Sequence, residues 1–213
     1  MPAKPYILEV GTKVPGVTTV IGRWKESGGL IHWAWALGME GKDYRQVRDS
    51  AADAGTCAHA MVECDIRNKP FDEKPWPKET LEKAWRAFGA YQEWKDQTRL
   101  VPIASELSLI SEQHRFGGTL DAMLINGKTA LGDWKTSNAV YQDYLIQLAA
   151  YGYLWNEHNP DNQITGGYHL LRFSKNEGDF VHYYFAELDV AWCAFLHMRA
   201  LYDLDKQLKE RIR

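Results

Sequence analysis

The sequence predicts a mixed α/β domain, with a central mixed sheet of about five strands flanked by helices. Three observations lead there. Helical periodicity dominates residues 50–97, and the period then shortens to two between 103 and 136. A further helical stretch follows, then two short β-prone runs and a closing helix. The order is helices, three strands, a helix, two strands and a helix, which suits a sheet with helices on its faces.

Residues 5–20 read as an extended arm or short strand, punctuated by Gly11, Pro15 and Gly16. Val17-Thr18-Thr19-Val20-Ile21 is β-prone but could enter a helix at Thr18 or Thr19. Dense apolar residues from Ile31 to Met39 predict a short helix. Residues 50–67 predict another, with Ser50 as its cap and Ala54, Ala58, Met61 and Val62 at helical spacing. Three prolines between Pro70 and Pro77 mark a linker. Over 78–97, Leu81, Ala84, Trp85, Phe88, Tyr91 and Trp94 make an apolar stripe. Ile103–Ser111 alternates as a strand, which Gly117-Gly118 is expected to break. Thr119–Ile125 and Thr129–Thr136 are the next two strands, and Asn126-Gly127 between them is a strong hairpin signal. A helix over 141–157 carries Tyr144, Leu148, Tyr151 and Trp155 on one side. Gly166–Phe173 and Phe180–Phe185 supply two more strands, and 187–211 is a closing helix with a basic tail. The 213 residues suit one domain, helical to about residue 98 and sheet-based from about 99.

Composition narrows the function. A net charge of −3 argues against non-specific coating of duplex nucleic acid as the whole activity. It is compatible with a nuclease, where metal-holding carboxylates offset basic residues elsewhere. No run approaches the roughly 18 apolar residues of a membrane span, and no signal-peptide pattern opens the chain. A cytoplasmic protein is expected. Cys57, Cys64 and Cys193 lack a CxxC spacing and read as reduced, mostly buried thiols. They do not make a four-cysteine zinc or iron–sulfur site.

Gly118-Thr119-Leu120-Asp121 and Gly132-Asp133-Trp134-Lys135 carry the chemistry. Strand residues two apart share a face, so Asp133 and Lys135 project together. A carboxylate can hold a divalent cation, and a neighbouring lysine can orient water or stabilise charge on a phosphoryl group. Trp134 points to the other face, while its carbonyl can offer a further oxygen ligand. Asp121 comes from the adjacent strand. A two-residue Asn126-Gly127 loop would pair Ile125 with Lys128 and set Asp121 opposite Gly132, leaving Asp133 on the wrong side. The offset must change by one, through a three-residue loop or a bulge near Gly132. Asp133 and Lys135 could otherwise form a simple surface ion pair.

The arrangement resembles the PD-(D/E)XK nuclease superfamily, whose strand hairpin carries an Asp and then a D/E-x-K. Gly55-Thr56-Cys57-Ala58-His59 with Glu63 resembles the GTxxH…E helix of its RecB-like, phage-type exonuclease branch. Gly118–Asp121 is similar to that branch's GxxD strand, and Gln147–Tyr151 to its QxxxY helix. Val17–Val20 is also similar to phage members. The resemblance implies a restriction-endonuclease-like core. It implies metal binding by His59, Asp121, Asp133 and the Trp134 carbonyl, and a catalytic role for Lys135. It also implies DNA contacts by Gln147 and Tyr151, with Thr136 grouped beside them. Glu63 and Glu106 are candidates for supporting roles; Glu63 could equally orient His59 or pair with a neighbour. The absent cysteine cluster sets the chain apart from the iron–sulfur subfamily, so no such cluster is expected.

The resemblance implies a Mg²⁺-dependent deoxyribonuclease that hydrolyses phosphodiester bonds at single- or double-stranded ends, leaving 5′-phosphate and 3′-hydroxyl. A histidine ligand suits Mn²⁺, which is expected to support activity too. An exonuclease of phage, recombination or repair DNA processing is the leading reading. In that setting the chain could form a homo-oligomer, act with a recombination partner protein and work in a host's cytoplasm. Alternatives are a structure-specific or restriction-like endonuclease, and a DNA-binding module without turnover. Arg23, Lys25, Lys42, Arg45 and Arg48 could contact DNA or form a solvated face. Trp24 or Trp33, if exposed, could stack on unpaired bases. His114 and Arg115 read as solvated loop residues open to DNA.

Overall fold

The computed structural model describes residues 5–212 apart from Glu26, Arg99 and Asn126, with the backbone alone of Ala122 and Met123. A small antiparallel pair, β1 (Tyr6–Ile7) and β2 (Lys13–Val14), leads into α1 (Val17–Arg23), α2 (Gly28–Met39), α3 (Tyr44–Ile66) and α4 (Lys78–Gln97). Then come β3 (Val101–Ser111), β4 (Phe116–Ile125) and β5 (Thr129–Lys135). The chain closes with α5 (Gln142–His158), β6 (Tyr168–Phe173), β7 (Phe180–Phe185) and α6 (Asp189–Arg211). The five long strands form one mixed sheet, as the sequence predicts, and lie in the order β3-β4-β5-β6-β7. Only β5 and β6 run parallel, and α5 makes the crossover that a parallel pair requires.

Two hydrophobic cores sandwich the sheet. On one face α3 and α4 pack over Leu124, Ala130, Trp134 and Phe173. On the other, α1, α5 and α6 pack over Phe116, Leu120, Leu131 and Leu170. Trp134 thus points away from Asp133 and Lys135, where it meets Tyr91, Trp94 and Phe173 edge-on or tilted.

Several boundaries differ from the sequence reading. α3 begins at Tyr44, capped by Asp43, whose side chain accepts a hydrogen bond from the Arg45 amide. Ser50 lies inside the helix. Its first turns are exposed and carry no apolar stripe, so periodicity could not reveal them. Gly117 and Gly118 do not break a strand; they lie within β4, and the turn is at 112–115. A Cβ on Gly117 would sit 2.2 Å from the Tyr6 ring, and one on Gly118 would sit 2.7 Å from Tyr151. Both glycines serve close packing. Val17–Ile21 is helical, the alternative its composition allowed. Of the three cysteines only Cys57 is buried, whereas Cys64 is half-buried and Cys193 exposed.

The β4–β5 hairpin adopts the three-residue form. Ile125 pairs with Thr129, and the ladder runs without a shift to Ala122↔Gly132. Gly127 in this connection has φ +69°, and Asn126 lies outside the described residues. One step further in the same register sets Asp121 opposite Asp133.

Pairing between β4 and β5 ends at that step, and the two strands splay. β4 also changes its facing there. Leu120 belongs to the core under α5 and Leu124 to the core under α3 and α4, although both are even-numbered positions of one strand. Neighbouring β3 does the same: Ala104 and Leu107, three apart, both face the α5 side. The pivot in β3 is Glu106, a non-glycine residue at φ +53°. Such a conformation costs about 1–2 kcal/mol for an L-residue.

Candidate active site

The splayed end of the hairpin opens a cleft of about 570 Å³ between α3 and the start of α5. Its walls bring together most of the predicted residues: His59 from α3, Asp121 from β4, Trp134 and Lys135 from β5, Thr136 just beyond, and Gln147 from α5. Gly55 sets the spacing. A Cβ there would lie 2.7 Å from Thr136 Oγ1, so only glycine lets α3 approach the strand end this closely.

Where β4 leaves β5, the Trp134 amide loses its backbone acceptor on that side. The Asp121 carboxylate replaces it, accepting from Trp134 N at 3.0 Å. Its other oxygen faces His59 Nδ1 at 4.0 Å. Asp133 is completely buried. Lys135 Nζ lies 2.6 Å from Asp133 Oδ2, yet neither Asp133 oxygen makes a hydrogen bond of good geometry among the described residues. The same ammonium donates to Gln147 Oε1 at 3.0 Å and lies over the Tyr144 ring. Gln147 in turn donates to the Tyr151 hydroxyl at 2.7 Å.

The electrostatics follow from burial. Burial raises the Asp133 carboxyl to about 7, with Asp121 adding to the rise and Lys135 opposing it. Burial raises Asp121 as well, against the pull of Lys135. For Lys135, burial disfavours the charge, but Asp133 and Asp121 together outweigh it and raise its pKa. Burial and the nearby Lys135 push His59 down to about 4, leaving a neutral imidazole with a free lone pair near pH 7.

This donor set fits a divalent cation. A buried carboxylate costs several kcal/mol unless a proton or cation compensates it, and here one ammonium, Lys135, faces two carboxylates, Asp133 and Asp121. His59, Glu106 and Asp121 each offer one ligand atom within 4.8 Å of the others. Carboxylate oxygens with one imidazole nitrogen suit Mg²⁺ or Mn²⁺ better than a soft metal. The positive φ of Glu106 thus stands beside the cluster that would use its carboxylate, a common location for backbone strain. Burial and neighbouring Glu63 raise the Glu106 pKa, while Arg67 opposes them. Glu63 itself pairs with Arg67 at 2.9 Å, the neighbour-pairing alternative.

Other expected residues sit differently. Tyr151 is buried against Gly118 and lies beneath Gln147, outside the cleft wall. His114 is not a solvated loop residue: it bonds the Tyr153 hydroxyl at 3.0 Å and packs edge-on against Trp192. The Arg115 carbonyl caps the Arg199 guanidinium. Arg23, Lys25, Lys42 and Arg48 each pair with a surface carboxylate, and Arg45 lies over Tyr44. Trp24 and Trp33 are exposed. The cleft also contains Thr56 of the motif in α3 and Tyr144 of α5, together with Ser137 and Lys175, which the sequence reading did not name. Lys175 sits in the polar stretch Ser174–Gly178, which resembles any strand-connecting turn.

An acidic pair and a lysine at the splayed end of a hairpin, in a mixed sheet wrapped by helices, define a nuclease-type core. The family model of the PD-(D/E)XK nuclease superfamily matches residues 7–209, and the chain belongs to that superfamily. No curated protein matches it in sequence. Among solved structures it is similar to a Eubacterium rectale protein named "Putative exonuclease", with 16% identity and a TM-score of 0.42 over 87% of this chain and 69% of that one. It is also similar to the protein SSO0001, with 14% identity and a TM-score of 0.35 over 70% of this chain and 71% of that one. Among the described residues no helix is long and apolar enough to cross a membrane.

Proposed function

We propose that the chain is a Mg²⁺- or Mn²⁺-dependent DNA exonuclease of phage, recombination or repair DNA processing. The observation that carries this reading is the meeting of His59, Glu106 and Asp121, whose ligand atoms lie within 4.8 Å of one another, beside the fully buried Asp133 and its Lys135 partner. In this reading Asp121, Asp133, His59 and the Trp134 carbonyl hold the cation, with Glu106 beside them. When bound, the cation supplies Lewis acidity toward water and phosphoryl oxygens. Lys135, steadied by Gln147, neutralises charge that develops on the reacting phosphate. Tyr151 is a positioning residue that acts through its hydrogen bond to Gln147. Lys175 Nζ donates to the Ala51 carbonyl at 2.8 Å and so joins the β6–β7 turn to α3 at the cleft.

The test is digestion of end-labelled linear DNA and of a closed circle, with Mg²⁺, Mn²⁺ or chelator. Linear DNA should be degraded and the circle spared. Asp133→Ala and Lys135→Ala should each lower the rate by at least about 100-fold. Wild-type rates in either variant would sink the assignment, and cleavage of the circle would move it to endonuclease.

A further inference from the structure

The cleft contains two lysines in different electrical situations. Lys135 is held between Asp133 and Gln147, so its charge is already compensated. Lys175 is half-buried in the same cleft and has no carboxylate partner among the described residues. Its hydrogen bond runs to a neutral acceptor, the Ala51 carbonyl in the first half of α3. A half-buried ammonium held only by a carbonyl is under-compensated, and an anion is its natural partner.

The surrounding turn is built to hold Lys175 in place. Ser174 Oγ accepts from the Glu177 amide at 3.0 Å, and the Ser174 amide donates to the Asp179 carbonyl at 2.9 Å. Gly178 has φ +73°, which closes the turn. Asn176 Nδ2 donates to Asn138 Oδ1 at 3.3 Å, tying the turn to the segment that follows β5. The lysine is therefore presented from a braced turn.

Charge distribution points the same way. With a net charge of −3, the chain cannot attract a polyanion through its overall field. The predicted cation-holding part of the site is rich in carboxylates, and most of the basic residues of the N-terminal helices are paired on the surface. Positive charge has to be supplied locally, inside the cleft.

We infer that Lys175 forms a phosphate subsite. It exchanges the Ala51 carbonyl for a backbone phosphate of the substrate strand, a different phosphate from the one at Asp133. This rests on the nuclease reading for the identity of the strand, but the contact itself is a binding claim that can be measured without cleavage. Burial and neighbouring Lys83 depress the Lys175 pKa, as expected for an ammonium that lacks a counter-charge.

The test is binding of a fluorescent single-stranded oligonucleotide to the full chain in chelator, across a salt series. Losing one phosphate contact should lower the slope of log affinity against log salt by about 0.7 in Lys175→Gln. Lys175→Arg should keep the wild-type slope. An unchanged slope in a folded Lys175→Gln protein would make Lys175 only a latch between the turn and α3, and overturn the subsite. Should that variant not fold, acetylation of Lys175 in the wild-type protein is compared with and without oligonucleotide. Protection supports the subsite, and equal labelling overturns it. The two readings fail separately: a changed slope in a chain that never cleaves DNA keeps the subsite and removes the nuclease, whereas cleavage with an unchanged slope does the reverse.

Discussion

Replacing Asp133 with asparagine should remove activity and yet stabilise the cation-free protein near neutral pH. Asp133 is fully buried, and its carboxyl is raised from 3.8 to about 7. An acid whose folded pKa is raised binds more protons folded than unfolded between those values. Stability therefore falls as pH rises through that window. At about 1.4 kcal/mol per unit, the loss is on the order of 4 kcal/mol by neutral pH. Asparagine does not ionise, so the variant escapes that loss. The attraction of Lys135 is already contained in that shift, because it opposes the rise. The expectation near pH 8 is a gain approaching about 4 kcal/mol, vanishing near pH 4, where the wild-type carboxyl is neutral. Urea denaturation of both proteins in chelator at several pH values reads this directly. Added Mn²⁺ should stabilise the wild type and leave the variant unmoved. A stability difference that does not change with pH would refute the argument, because it would mean that Asp133 carries no burial penalty.

His59 should act in the opposite sense. Its pKa falls from 6.5 to about 4, so its contribution is fully present above 6.5 and is lost as pH drops through that window. His59→Gln should flatten the acid limb of the stability profile by on the order of 2 kcal/mol, read by urea denaturation in chelator, with partial exposure discounting the full shift. Glu106→Gly should relieve the φ +53° backbone and raise stability by about 1 kcal/mol, while calorimetry records weaker Mn²⁺ binding. Gly55→Ala places a methyl 2.7 Å from Thr136 Oγ1 and should cost about 1–3 kcal/mol in thermal melts, with activity lost as α3 is pushed from the strand end.

Much of this was legible in the sequence, for identifiable reasons. α4 matches its apolar stripe because one face of a long helix is continuously buried. The odd hairpin offset was legible because a strand's faces alternate, so two carboxylates can share a cation only at one parity; whether a three-residue loop or a bulge near Gly132 supplied it was not. What escaped depends on partners distant in the chain. Gly117 and Gly118 look like a strand break until the Tyr6 and Tyr151 rings are seen lying against them. Tyr151 has the spacing of a DNA contact but lies beneath Gln147, because its ring fills the space that Gly118 leaves. The reversal of strand facing at Glu106 left no signal, since positive φ has no signature at a glutamate. Nor did Lys175, one lysine in a polar turn, until the fold brought that turn against α3. The apolar density from Ile31 to Met39 was enough to find helix α2, yet none of its residues is buried.

The β4–β5 connection makes loop length a matter of parity. The register of β4 on β5 is strongly specified, because both strands bury side chains in the cores on the two faces of the sheet. A slip by one residue would turn one strand's odd positions into its partner's even ones, exchange core side chains between the faces and send Asp133 to the opposite side from Asp121. A slip by two would preserve the facing. The two cores and the carboxylate pair thus require the same offset, and a connection far from any chemistry has to deliver it. Its sequence is left open, provided that the turn can still close.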